Sequence, residues 1–145
     1  MIRKLAIVAV ILGALVDVGY ATSPDRQRYA VVRIVTQIQR ADYEGERVAL
    51  KHLYAELARF LPSKELASRV HYWRGFALWR RALNGFNDSA GPMELREDLE
   101  QAVKEFDEAV AQDPQFVDAK IGAGSCLSNR EVPYCLCIHA DVFWA

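Results

Sequence analysis

Between residues 25 and 130 the apolar positions recur at steps of three and four, the spacing of one face of a helix. In DRQRYAVVRIVTQIQR (25–40) they are Ala30, Val31, Ile34, Val35 and Ile38. Ser23-Pro24 just ahead suits a helix start, and Ala41 to Gly45 reads as a short turn. The next stretch, ERVALKHLYAELARFLP (46–62), puts Val48, Leu50, Leu53, Tyr54, Leu57 and Leu61 on one broad face. Pro62 is expected to end that helix. Ser63 is expected to cap a third helix through ELASRVHYWRGFALWRRAL (65–83), with Leu66 as an early apolar contact. Asn84-Gly85 opens a turn-rich segment, NGFNDSAGP. Pro92 fits the first position of a fourth helix. Its face is Leu95, Leu99, Ala102, Val103, Phe106, Ala109 and Val110, and Pro114 closes it. A fifth helix, FVDAKIGAGSCLSN (116–129), carries Val117, Ile121 and Leu127. After Arg130 the helical period fades. The pattern predicts an all-α chain of five helices in antiparallel hairpins.

Two of these helices share a spacing. Leu50, Tyr54, Leu57 and Pro62 are separated by 4, 3 and 5, and so are Ala102, Phe106, Ala109 and Pro114. Each proline precedes a helix with an internal glycine, Gly75 or Gly124. Glycine inside a helix costs about 1 kcal/mol relative to alanine, so its presence points to a close neighbour. A run of small residue, aromatic, small residue and proline at these separations resembles the second half of the tetratricopeptide repeat, a helix–turn–helix unit of about 34 residues. Ala102 to Pro114 matches all four places. The matching first halves are degenerate: Ala123-Gly124 with Leu127, and Arg74-Gly75 with Leu78. Pro62 to Pro114 spans 52 residues, about 18 more than the family period. Most of that excess falls between Leu78 and Ala102, read as a loop plus an extended fourth helix. An ordinary helical bundle is the competing reading.

The resemblance implies an α-solenoid of about two to two and a half repeat units over residues 25–130. It implies that Leu50, Tyr54, Leu57, Gly75, Ala102, Phe106, Ala109, Pro114 and Gly124 are packing positions. It also implies a peptide-binding groove lined by the first helix of each unit. On the Gly75 helix the groove positions fall on Arg69, Tyr72, Phe76, Trp79 and Arg80; on the Gly124 helix they give a milder polar surface. Flat rings and forked guanidinium groups suit an extended peptide with acidic groups or a free carboxylate. Aromatic residues at helical spacing are equally what a core contains, so both readings stand.

The ends of the chain differ in character. Residues 1–21 have Arg3 and Lys4, then the uncharged run Leu5 to Val16, then small residues before a cut after Ala21. That order is expected of a secretory signal peptide. Asp17 stops the run at twelve, short of the roughly 20 apolar residues of a membrane-spanning helix. The net charge of −1 gives no field to draw the chain to nucleic acid or lipid. Export places Cys126, Cys135 and Cys137 in an oxidising compartment, where three thiols allow at most one internal disulfide. In the tail, 131–145, Cys135, Cys137, His139 and Asp141 alternate with apolar residues. Soft sulfur and imidazole suit zinc or copper, but ligands from a single line seldom close a tetrahedral site. A repeat array is also expected to continue past its fifth helix, and a truncated or frame-disrupted chain would carry such a tail.

His52 and Glu56, one turn apart, lack a third partner, and His71 has no carboxylate at helical spacing. No phosphate loop or nucleophile elbow occurs. The sequence therefore predicts an exported, periplasmic or extracellular protein that binds a protein or peptide. It predicts no catalysis, cofactor or nucleic acid, and no membrane contact once the signal is cleaved. The alternatives are a structural scaffold of an envelope assembly and a metal-binding protein using Cys135, Cys137 and His139.

Overall fold

A computed structural model of the chain describes residues 23–130. It is all-helical there: α1 Pro24–Tyr43, α2 Arg47–Leu57 with a short 3-10 turn at Ala58–Phe60, α3 Ala67–Asn87, α4 Pro92–Gln112 and α5 Val117–Arg130. No described helix is long and apolar enough to cross a membrane. The signal-peptide reading of 1–21 and the Cys135, Cys137, His139 and Asp141 set lie outside the described residues.

Local chemistry accounts for the boundaries. The Ser23 hydroxyl accepts from the Arg26 amide at 3.4 Å, and Pro24 occupies the first turn of α1. Gly45, at φ 74°, makes the bend into α2, in a left-handed conformation that glycine adopts without steric cost. Pro62 has no amide to continue α2, and the chain tightens before it: the Leu61 amide donates to the Ala58 carbonyl at 3.2 Å. The α-helix thus stops at Leu57, five residues short of the expected end.

Ser63 does not cap α3 with its hydroxyl. Its carbonyl accepts from the Leu66 and Ala67 amides instead, and the helix begins four residues after it, at Ala67. The largest difference is at Asn84-Gly85, expected as a turn. Helix α3 runs through both to Asn87, and the link to α4 is short. Gly85 is buried, and a Cβ there would lie 2.5 Å from the Leu95 side chain. It is kept bare by the approach of α4, not by a bend in its own chain. Four of the residues expected as a loop, Asn84 to Asn87, lengthen α3, while α4 starts at Pro92 as expected.

Helix partners follow chain order. In α3 and α4 the pairs Ser68–Ala109, Arg74–Glu105 and Arg81–Asp98 run in opposite directions, so the two helices are antiparallel. Arg47 and Tyr54 of α2 pair with Arg81 and Arg74 of α3 in the same antiparallel sense. Helices α1 and α3 lie side by side and parallel: Arg28 reaches Glu65 just before α3, and Asp42 meets Arg80 and Asn84 near its end. One core cluster joins α1, α2 and the start of α3 through Ile34, Ile38, Leu50, Leu57 and Val70. A second joins α3, α4 and α5 through Leu78, Leu99, Ala102, Phe106, Ala109 and Cys126. Helix α3 takes part in both.

Candidate binding face

Leu50, Leu57, Ala102, Phe106 and Ala109 are fully buried. A Cβ on Gly75 would stand 3.0 Å from the Phe106 ring and 3.1 Å from the Ala102 carbonyl oxygen. Glycine there is explained by that contact. Tyr54 is half-buried and spans from α2 toward α4. Pro114 is exposed just beyond the end of α4.

Gly124 does not make the expected close approach: it is exposed, with nothing within 4 Å of a built Cβ. The glycine of α5 that meets α4 is Gly122, whose Cβ would fall 2.6 Å from the Phe106 ring. Helix α5 is turned so that Ala119, Gly122 and Cys126 face inward. These small residues stand three and four apart, one face of the helix.

The predicted groove residues lie along one side of α3. Arg69 is exposed, and Tyr72, Phe76, Trp79 and Arg80 are half-buried, with Trp73 beside them. The rings form a chain of edge-on and tilted contacts. Trp73 lies 5.2 Å from both Tyr72 and Phe76, and Phe76 lies 6.0 Å from Trp79. Tyr72 turns toward α5 and meets Phe116 at 4.9 Å. Burial and the charge of Asp118 push its phenol above the ordinary value. The Trp79 indole nitrogen is enclosed and has no hydrogen-bond partner, and its ring packs on the second core cluster. The face is a half-open aromatic edge, at once core and surface.

Its arginines differ. Arg80 donates to Asp42 at 2.7 Å and lies over Trp79, so it ties α3 to α1. Arg69 lies over the Phe116 ring at 5.9 Å. Between α1 and α3, next to Arg69, runs a groove of about 470 Å³. Val31, Val32, Val35, Leu66 and Trp73 line it, and Arg28 and Glu65 flank it.

Beneath this face lies a feature the sequence did not suggest. Arg74, Arg81, Asp98 and Glu105 are buried. Glu105 of α4 accepts from Arg74 at 2.8 Å and from the Tyr54 hydroxyl at 3.1 Å, and the His71 Nδ1 lies 2.8 Å from its other oxygen. Arg74 also donates to the Tyr54 carbonyl at 2.9 Å and stacks over that ring at 4.0 Å. One carboxylate thereby joins α2, α3 and α4. Burial raises the Glu105 carboxyl, and the hydrogen bonds and charge of Arg74 and His71 outweigh it, holding the group below its ordinary value. Near the other end of α3, Arg81 pairs with Asp98 and Glu94, and Arg47 reaches Glu94 at 3.0 Å. Burial dominates at Asp98 and leaves it above its ordinary value despite Arg81.

His52 is exposed, whereas His71 has found in Glu105 the carboxylate that its own helix lacks. The Cys126 thiol is fully buried and pushed up to about 12 by desolvation. Comparison of the chain with protein-family models, with curated proteins and with solved structures found no match.

Proposed function

We propose that this chain is an exported, tetratricopeptide-like protein that binds an extended peptide or protein segment along the side formed by α1, α3 and α5. The observation that carries the reading is the half-open aromatic edge of α3, next to an apolar groove and the exposed Arg69. Half-buried rings give flat contact area whose ordering cost is already met, a property of binding anchors. The repeat reading draws support from two arrangements. Gly75, Ala102 and Phe106 meet as the packing positions of one unit. Helices α1 and α3, the first helices of successive units in this reading, run parallel. Export rests on the composition of residues 1–21.

Arg69 is the sharper probe of this face. It is exposed, so Arg69→Glu is expected to leave melting unchanged, as most surface substitutions do. Binding to acidic peptides, screened as an array against the chain, is expected to fall at least about tenfold, or roughly 1.4 kcal/mol. Trp79→Ala is expected to cost about 2 kcal/mol or more of affinity. Its stability loss is expected to stay below the 3–5 kcal/mol typical of a fully buried tryptophan. Equal peptide binding by the parent and Arg69→Glu chains would overturn the proposal, and so would a Trp79→Ala chain too unfolded to assay.

A further inference from the structure

A loose ion pair joins the two walls of the groove between α1 and α3. Arg28 of α1 reaches Glu65, two residues ahead of α3, at 3.4 Å, and the two side chains are 60% and 64% exposed. Arg80–Asp42, which ties α1 to α3 farther along, is 2.7 Å long and less exposed. A strong pair between a guanidinium and a carboxylate is about 2.7–2.9 Å long. An exposed pair that misses this geometry contributes little to stability. The position of Arg28 gives it another use. It borders the groove lined by Val31, Val35, Leu66 and Trp73. It also borders a second depression of about 420 Å³ beside Tyr29 and Val32, which are 77% and 61% exposed. Apolar surface therefore continues across α1, with one guanidinium common to both depressions. Arg69, on the α3 wall, lies over Phe116 and has no ion-pair partner among the described residues.

We propose that Glu65 is an internal competitor at this groove, an inference that rests on the peptide-binding reading above. In the free chain Glu65 holds Arg28. An acidic side chain of the bound segment displaces Glu65 and takes Arg28, while an apolar neighbour of that acid packs on Val35 and Trp73. Charge complementarity identifies the ligand. Once Glu65 is displaced, each wall carries a cation, Arg28 on α1 and Arg69 on α3, beside apolar side chains. Exchange of one carboxylate for another gains little attraction, so Glu65 offsets part of what an acidic ligand would gain from Arg28. A neutral ligand enters no such contest. Glu65 therefore sets how far the groove prefers acidic peptides over neutral ones, a difference of two affinities.

Paired peptide arrays test the proposal on the full chain. Each peptide carries a Leu or Phe anchor next to a Glu, and its twin has Gln in place of that Glu. Glu65→Gln is expected to leave melting unchanged, since the side chain is exposed. It is expected to tighten binding of the Glu peptides about two- to fivefold, the equivalent of an exposed ion pair, and to leave the Gln twins unchanged. In an Arg28→Gln background the same substitution is expected to give no gain, because nothing is left to compete for. Glu peptides that bind the parent and Glu65→Gln chains equally would overturn the role of Glu65 and leave the binding face standing. A gain that persists in the Arg28→Gln background would also overturn it, since that outcome marks simple repulsion between acids. If no peptide binds any of these chains, the binding face falls, and the role of Glu65 falls with it.

Discussion

Removing the Glu105 carboxylate should be among the most damaging single changes in this chain. Glu105→Leu keeps the side-chain volume roughly constant and deletes the acceptor shared by Arg74, His71 and Tyr54. The Arg74 and Glu105 side chains are only 9% and 5% exposed. The guanidinium left behind is therefore a buried charge without its counterion. Breaking a buried pair in this way costs about 3–5 kcal/mol, most of it the stranded charge, not the lost attraction. For a domain near 100 residues each 1 kcal/mol lowers the melting point by about 4–8 °C, so the expected fall is about 12 °C or more. The double variant Glu105→Leu, Arg74→Met removes both charges. It should be much less destabilised than Glu105→Leu alone, because an ion pair replaced by apolar groups of similar size is often neutral.

The pH dependence has a definite sign. The folded carboxyl lies below its ordinary value of 4.5, so the unfolded chain binds the proton more readily. The contribution of Glu105 is present above about pH 4.5 and is lost as the pH falls through the folded value. Glu105→Leu should therefore flatten part of the acid limb of the stability curve. Melting of the two variants and the parent between pH 3 and 7 supplies the measurement. A loss below about 1 kcal/mol for Glu105→Leu, or strictly additive effects in the double variant, would refute the reasoning.

Three further outcomes can be checked in the same preparations. Ala109→Trp should lower stability by about 3 kcal/mol or more in thermal melts, since Ala109 is fully enclosed and its carbonyl accepts from Ser68. Gly122→Val should cost about 1–3 kcal/mol of stability through its clash with Phe106, and shortening that ring with Phe106→Leu should recover part of the loss in a double-variant melt. Cys126 should resist alkylation in the folded chain at pH 8, because its thiol is buried and pushed up to about 12; labelling at the rate of a free thiol would contradict the packing of α5.

Periodicity and proline placement alone located all five α-helices of the described residues, because a three-to-four step of apolar residues records which face leaves water and needs no partner to be read. The same pattern identified Leu50, Leu57, Ala102, Phe106 and Ala109 as interior, and Gly75 as the site of a close approach. It failed where the answer depends on a second helix. Nothing in the sequence marks Arg74, Arg81, Asp98 and Glu105 as buried, because a charge is ordinarily exposed. Their burial becomes tolerable only when the register of α3 on α4 brings opposite charges together. Gly85 read as a turn because glycine permits one, but contact with Leu95 decided that it stays in a helix. Gly122 and Gly124 are equivalent as sequence, two residues apart on one helix. Rotation of α5 against Phe106 made one of them a contact and left the other bare. Local pattern fixes which residues can be helical and apolar; the relative rotation and register of packed helices select which polar groups are paired and which small residues touch.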